Sequence, residues 1–241
     1  MQKGVSLSLA VVALLPVTAA AFPPYRSTDA ETAASGVMEA RVGLVRVRHD
    51  SDAERYAAPL LRLNLGLASN VEMTLESEYD LDENRVGDGA IGLKLVTPSE
   101  VVSWGVETLA LLPVNSTHSG VGVESQLLMT WRPAQMRVHL NAGGFYDPRS
   151  ADLERGWRAS LLTEVEHRLG RPGLELFARG FRDGKTEVQL GMGWILPIGS
   201  LQLRIGAHAG LAGDAPDFSA SVWLTTERRL WRDERTASSH P

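Results

Sequence analysis

The chain has 241 residues, of which 44% are hydrophobic and 22% are charged, and its formal net charge is -5. This composition is too polar for a bundle of membrane helices, and the mildly acidic balance argues against a nucleic-acid partner. The absence of cysteine excludes disulfides and thiolate metal sites. The six histidines are scattered without ligand spacing, so we expect neither a metal nor another cofactor.

The N-terminal residues predict a secretory signal peptide. Lys3 precedes an apolar stretch over residues 5–17, and small residues follow at Ala19, Ala20 and Ala21. The stretch is shorter than the roughly 18–20 residues that a spanning helix needs, although a short membrane anchor is the alternative. We therefore assign residues 1–21 to a signal peptide cleaved near Ala21. Residues 22–36, polar and rich in proline, are expected to form a periplasmic leader or an insert in the lumen.

From residue 37 onward the chain alternates apolar and polar residues with a period of two. Leu61, Leu63 and Leu65, for example, alternate with Arg62 and Asn64. Successive side chains of a strand point to opposite faces, so this pattern predicts strands with one apolar and one polar face. About twelve strands are predicted, over residues 37–48, 58–68, 70–80, 87–96, 101–112, 121–132, 135–146, 157–168, 173–181, 186–196, 200–210 and 217–229.

The repeated pattern favours an all-β fold, a single up-and-down antiparallel transmembrane β-barrel of about 12 strands over residues 37–231. An apolar face toward lipid and a polar face toward the lumen are typical of such barrels, as are short periplasmic turns that alternate with longer outer loops. Residues 232–241 would form a polar C-terminal tail. Aromatic residues that could form girdles at the membrane surfaces lie near strand ends, at Tyr56, Tyr79, Trp131, Tyr146, Trp157, Trp194 and Trp231. We expect this barrel in the outer membrane of a Gram-negative bacterium.

The polar faces predict a lumen wall in which acidic and basic side chains interleave. The candidate solute path is formed by Arg62, Glu72, Glu76, Lys94, Glu107, Glu124, Arg137, His139, Arg158, Glu164, Glu187 and Arg204. Opposite charges on neighbouring strands stabilise each other, so the lumen is either a narrow charged pore or a sealed, salt-bridged core. Barrels of about 8 strands are filled by side chains and those of about 16–18 hold water, so twelve strands leave both alternatives open.

Glycines on the polar faces bear on the same question. They are Gly66, Gly92, Gly105, Gly143, Gly191, Gly193 and Gly206. A missing side chain leaves room in the lumen, or it marks curvature or the close approach of another strand. The pattern does not separate these alternatives.

An enzyme is the less favoured class. His139, Asn141 and Ser160 share the polar face and are the best available set for a hydrolase. A lipid-cleaving site should face the membrane, however, and the chain has no Gly-x-Ser-x-Gly motif. We therefore expect these residues to line the lumen and expect no enzymatic activity.

Five stretches resemble a known family of outer-membrane barrels. They are LLRLNLGLASNVEM at residues 60–73, GDGAIGLK at 87–94, LLPV at 111–114, VHLNAGG at 138–144 and APDF at 215–218. In their order and spacing they are similar to barrels known as MetA-pathway phenol-degradation proteins, or simply as transporters. The resemblance implies uptake of aromatic or other hydrophobic small molecules. It assigns no catalytic residues to this chain. The chain departs from the family in its short loops and in the polar tail beyond Trp231, where such barrels end on an aromatic residue.

The sequence thus predicts an outer-membrane channel or transporter for small solutes, aromatic or hydrophobic ones on the resemblance, through a charged lumen. A sealed structural or envelope-interaction barrel is the alternative, and a barrel-embedded lipid-modifying enzyme comes third. The expected partners are outer-membrane lipid, the small-molecule solute and, during insertion, the barrel-assembly machinery.

Overall fold

The structure is a computed structural model that describes residues 23–50, 53–87, 89–113, 120–149 and 153–231. The predicted signal peptide of residues 1–21 and the polar tail of residues 232–241 lie outside the described residues. None of the described residues belongs to a helix, and so none forms a helix long and apolar enough to span a membrane.

The described chain forms thirteen strands in one antiparallel sheet. They are β1 (Val37–Asp50), β2 (Ala53–Ala68), β3 (Val71–Asp80), β4 (Arg85–Val86), β5 (Gly89–Thr97), β6 (Val102–Leu112), β7 (Gly122–Trp131), β8 (Met136–Asp147), β9 (Glu154–Val165), β10 (Arg171–Phe181), β11 (Thr186–Ile198), β12 (Leu201–Gly213) and β13 (Phe218–Arg229). The two-residue β4 pairs only with the end of β3. The twelve long strands pair each with the next, and β13 pairs back onto β1. The predicted closed, up-and-down barrel of twelve strands is therefore confirmed.

Several strands differ from the predicted bounds by a few residues, and two stretches show why. The hairpin of β1 and β2 runs on to Asp50 and Ala53, which pair across it beyond the predicted ends. The prediction of β9 at residues 157–168 is wrong by three residues, because Glu154 already pairs with Asp147. The following turn therefore occupies residues 166–170, and Pro172 lies in β10 opposite Trp194. Proline has no N–H to donate, but near the start of a strand it removes only a hydrogen bond at the end of the ladder.

The connections divide into two ends of the barrel. The short-turn end is formed by the connections at residues 69–70, 98–101, 132–135, 166–170 and 199–200. It also holds the first residue of β1 and the last residue of β13. The remaining connections form the long-loop end. These two ends orient every residue along the barrel axis.

The outer surface of the barrel is apolar between two belts of aromatic side chains. Large apolar residues such as Leu127, Leu174 and Met192 stand exposed on it. Exposed aromatic residues lie near the short-turn end at Trp104, Trp131 and Trp194, and near the long-loop end at Tyr56, Tyr146 and Trp157. An apolar band flanked by aromatic girdles is the outer surface of a barrel that spans a membrane.

A charge placed on this apolar band should unfold the barrel in proportion to its depth. Leu127 lies midway along β7 and is 68% exposed, whereas Leu211 lies near the long-loop end of β12. We expect Leu127→Arg to lower the free energy of unfolding in lipid by about 2–4 kcal/mol, and Leu211→Arg by less than about 1 kcal/mol. Urea titration in vesicles measures both values, and equal costs at the two positions would contradict the assigned membrane depth.

Candidate functional site

The polar faces of the strands enclose the lumen, as the alternation predicts. Of the twelve residues of the candidate solute path, ten are buried, and Arg137 and Glu187 are half-buried. The structure therefore brings the whole set into the barrel interior. Whether a solute moves past these side chains stays a prediction.

An ionic cluster on β2, β3 and β6, joined by Gln126 of β7, fills one side of the lumen. The Arg62 guanidinium donates to Glu76 and, at 3.0 Å, to Glu107. The second oxygen of Glu107 accepts a hydrogen bond of 2.9 Å from the amide of Gln126. These side chains are all at most 3% exposed. Charges so deeply buried persist only when they are paired, so this half of the wall is a tightly matched network rather than a row of hydrated charges.

The lumen also contains residues 23–36, which we call the leader. The sequence left this segment as either a periplasmic segment or an insert in the lumen. It lies inside the barrel and follows the wall in an arc. Pro23 O accepts from Arg204 on β12 at 3.1 Å, and at the far end Gly36 N–H donates to Gly66 O on β2 at 2.8 Å. Between these points it crosses β10, β8, β7, β5 and β3 before it joins β1.

Glu175 on β10 anchors the start of the leader. This carboxylate is fully buried and accepts from the backbone N–H groups of Arg26, at 2.8 Å, and Ser27, as well as from the Ser27 hydroxyl. His208 Nε2 lies 2.7 Å from Glu175 Oε2, the oxygen that also accepts from the Arg26 N–H. A buried carboxylate with this many donors is well compensated for the loss of water. The leader thus supplies partners that the wall alone would leave missing.

Wall side chains also bind the backbone of the middle of the leader. Asn141 and Thr28 bond reciprocally, with the Thr28 N–H donating at 2.8 Å and the Asn141 amide donating to Thr28 O at 2.9 Å. The Ala30 N–H donates to the Thr130 hydroxyl at 2.8 Å. Because backbone groups are held at successive residues, the segment has one defined path rather than a loose fit.

Ion pairs hold the part of the leader nearest the short-turn end. Lys94 Nζ lies 3.2 Å from Asp29 Oδ1 and 3.5 Å from Glu72 Oε1. Glu31 lies 2.8 Å from Arg132 and 3.0 Å from Arg137. The half-buried ion pairs of Glu31 contribute little to stability, whereas the buried Lys94 depends on its two carboxylates to compensate for the loss of water.

Inward glycines make room for the leader. A Cβ at Gly66 would lie 2.2 Å from Ala34 O, and one at Gly206 would lie 2.6 Å from Pro24 Cβ. A Cβ at Gly193 would lie 2.7 Å from the ring of Tyr25. No real side chain fits at these distances. Of the alternatives that the sequence left open for inward glycines, the close approach of a backbone holds here, but the backbone is that of the leader rather than a strand.

The leader separates two cavities that open toward the two ends of the barrel. The cavity toward the long-loop end, here the long-loop vestibule, has a volume of about 380 Å³ and is floored by residues 23–26 of the leader. The cavity toward the short-turn end, the short-turn vestibule, has a volume of about 640 Å³ and is bounded by Asp29 and residues 31–34. Each vestibule therefore ends on one side of the same segment.

The structure does not assemble the hydrolase set considered from the sequence. Ser160 Oγ lies 3.2 Å from Asn141 Oδ1, but the two ring nitrogens of His139 face Thr130 Oγ1 at 2.9 Å and Glu164 Oε2 at 3.2 Å. All of these groups are buried beneath the leader. His139 is therefore a structural link between β7 and β9 and does not activate Ser160.

Apolar residues that face the interior are what sequence reasoning missed. Leu60, Leu128, Leu162, Phe177 and Trp223 are buried inside the barrel. Some pack directly on the leader, as in the cluster of Ala30, Val96 and Leu128 and that of Tyr25, Leu162 and Ile195. In the sequence, their inward parity within each strand was the available signal. Across the described residues no group of three His, Cys, Asp or Glu side chains could hold a metal ion.

Comparison with known proteins gives fold similarity only. No family model and no curated protein matches the chain. Among solved structures, a porin refined at 1.8 Å resolution has a TM-score of 0.43 at 6% identity and covers 80% of this chain and 99% of its own. The trimeric form of OmpT, an outer-membrane protein of Vibrio cholerae, gives 0.41 at 6% identity, covering 81% and 100%. An anion-selective porin from Comamonas acidovorans gives 0.39 at 9% identity, covering 80% and 99%. The likeness is one of barrel architecture, at an identity too low to carry over any activity.

Proposed function

We propose that the protein is an outer-membrane barrel that passes small solutes when its leader leaves the lumen and is closed while the leader is docked. The observation that carries this proposal is the position of residues 23–36 between two cavities that open to opposite ends of the barrel. The apolar exterior with its two aromatic girdles supports residence in a membrane.

The chemistry of the wall supports a leader that can leave. Its anchors on the wall are mostly polar: Glu175, Asn141, Thr130, Glu72 and Lys94. Once the leader withdraws, water can hydrogen-bond to each of these groups, so the open wall would be a hydrated surface. A core that always stays filled does not need polar groups that water can hydrate. Replacing the buried ions of such a core with well-packed apolar side chains often stabilises the protein.

The sealed structural barrel is the second candidate, and one observation favours it. The acidic residues Glu72, Glu76, Glu124 and Glu164 are matched at contact distance, by Lys94, Arg62, Arg158 and His139 in turn. These ion pairs join neighbouring parts of the lumen wall and stabilise a closed lumen. The two candidates differ in whether the leader moves.

A disulfide between the leader and the wall tests this difference. The chain has no native cysteine, and Ala30 packs with Val96 in one buried cluster. We expect the Ala30→Cys, Val96→Cys double variant to show brief openings in a planar bilayer when reduced. Oxidation should abolish those openings, because the disulfide holds the leader in place.

Each single-cysteine variant is the control, since neither should respond to oxidation. Openings that persist in the oxidised double variant would refute passage controlled by the leader. A reduced double variant and an unmodified mature chain that both stay silent, at every voltage tested, would instead favour the sealed barrel.

A further inference from the structure

The long-loop vestibule carries an excess of positive charge. Six arginines and four carboxylates line it. Four of the arginines are paired, Arg46 with Glu78, Arg149 with Asp147, Arg158 with Glu124 and Arg179 with Glu154. Arg48 lies 3.2 Å from Asp50. Only Arg26, on the leader, has no carboxylate within ion-pair distance among the residues that the structure describes.

Arg26 is also the arginine at the floor of this cavity. Its backbone N–H is bound by Glu175 and its backbone oxygen accepts from Arg158 at 2.7 Å, so the residue is held firmly. Its Nε is buried without a hydrogen-bond partner. A guanidinium that holds a buried nitrogen without an acceptor and has no carboxylate beside it is costly, so an anion in the cavity that pairs with the guanidinium offsets part of that cost.

Aromatic and aliphatic side chains border the same site. The guanidinium carbons of Arg26 and Arg158 each lie 5.3 Å from the centroid of the Phe177 ring. Leu111 and Trp223 also line the vestibule. A cavity of about 380 Å³ that combines convergent donors with a few apolar side chains has room for a small organic molecule and not only for a bare inorganic ion.

We propose that the long-loop vestibule binds a small organic monoanion, a carboxylate with an apolar body, through Arg26. One unpaired guanidinium matches one negative charge, and its planar fork fits a carboxylate. The apolar body of the ligand would lie against Phe177, Leu111 and Trp223. The inference rests on the proposed function in one respect, since it names the solute class that enters from this end.

Titration calorimetry of the refolded mature chain in a zwitterionic detergent tests the site, with benzoate as the probe and benzamide as its neutral counterpart. We expect saturable binding of benzoate and binding of benzamide at least about tenfold weaker, because only benzoate pairs with the guanidinium. Arg26→Gln keeps the backbone bond to Glu175 and should weaken benzoate binding by at least about tenfold. It should leave benzamide unchanged.

Arg182→Gln is the matched control, because it removes the same charge from an exposed turn at the same end of the barrel. It should change neither affinity. Equal affinities for the two probes, no saturable benzoate binding, or an Arg26→Gln variant that binds benzoate normally would each overturn the proposal. Binding is measured without a bilayer, so a failure here leaves the disulfide experiment intact, and a failure of that experiment leaves this one intact.

Discussion

Deletion of residues 23–35 is expected to turn a barrel that is almost always closed into one that conducts in long-lived discrete steps. The leader occupies the lumen between the two vestibules, and its removal joins them into one polar path. The exposed wall groups, among them Glu175, Asn141 and Thr130, would then be hydrated by water. Single-channel recording in a planar bilayer measures the change against the unmodified mature chain.

A point variant separates loss of the leader from damage to the wall. Gly193→Val adds a side chain whose Cβ would lie 2.7 Å from the Tyr25 ring, so the leader should be displaced while the chain stays complete. We expect steps of the same kind as in the deletion variant. Heat-modifiable migration on a gel establishes that both variants fold. Folded barrels that stay silent in both variants would show that the ionic cluster closes the lumen without the leader.

Arg62→Met is expected to lower the free energy of unfolding by about 3–5 kcal/mol, the largest stability effect of any single substitution that we predict. Arg62 is 1% exposed and pairs with both Glu76 and Glu107. Its loss leaves two buried carboxylates without this cation, and desolvated charge of this kind is costly. Urea unfolding in vesicles, followed by tryptophan fluorescence, measures the loss.

The triple variant Arg62→Met, Glu76→Gln, Glu107→Gln is the matched control. It removes the orphaned charges together with the cation and should recover a large part of the lost stability. Arg182→Gln on the exposed turn should cost less than about 0.5 kcal/mol. A triple variant that is no more stable than Arg62→Met would show that Arg62 acts through packing rather than through charge.

The barrel could be predicted from the sequence because the outer and inner faces of its strands meet different environments. Lipid outside and a polar interior impose a period of two on every strand, so Leu61 and Arg62 already identify opposite faces. The strand ends were less certain at residues 147–157 and 166–173. There the bounds depend on cross-strand pairing, such as that of Glu154 with Asp147, which no local pattern encodes.

The path of the leader could not be predicted in the same way. It has no periodicity, and its partners lie far along the chain: Ser27 binds Glu175, Thr28 binds Asn141 and Ala30 binds Thr130. In these contacts the wall binds mainly the leader backbone, which is the same for almost any sequence. The inward glycines were the one local sign, and their meaning depends on a segment that the strand pattern does not include.

Disulfide formation in native outer membranes is the most direct test of the claim that the leader closes the lumen. In the Ala30→Cys, Val96→Cys pair, one cysteine lies on the leader and the other on β5, where the leader docks. In the Ala30→Cys, Ser219→Cys pair, the second cysteine lies on β13 at the long-loop end. After mild oxidation and denaturing gel electrophoresis, we expect nearly complete cross-linking of the first pair and almost none of the second. Equal, partial cross-linking of both pairs, or none of the first, would contradict a leader that is docked in the lumen and closes it.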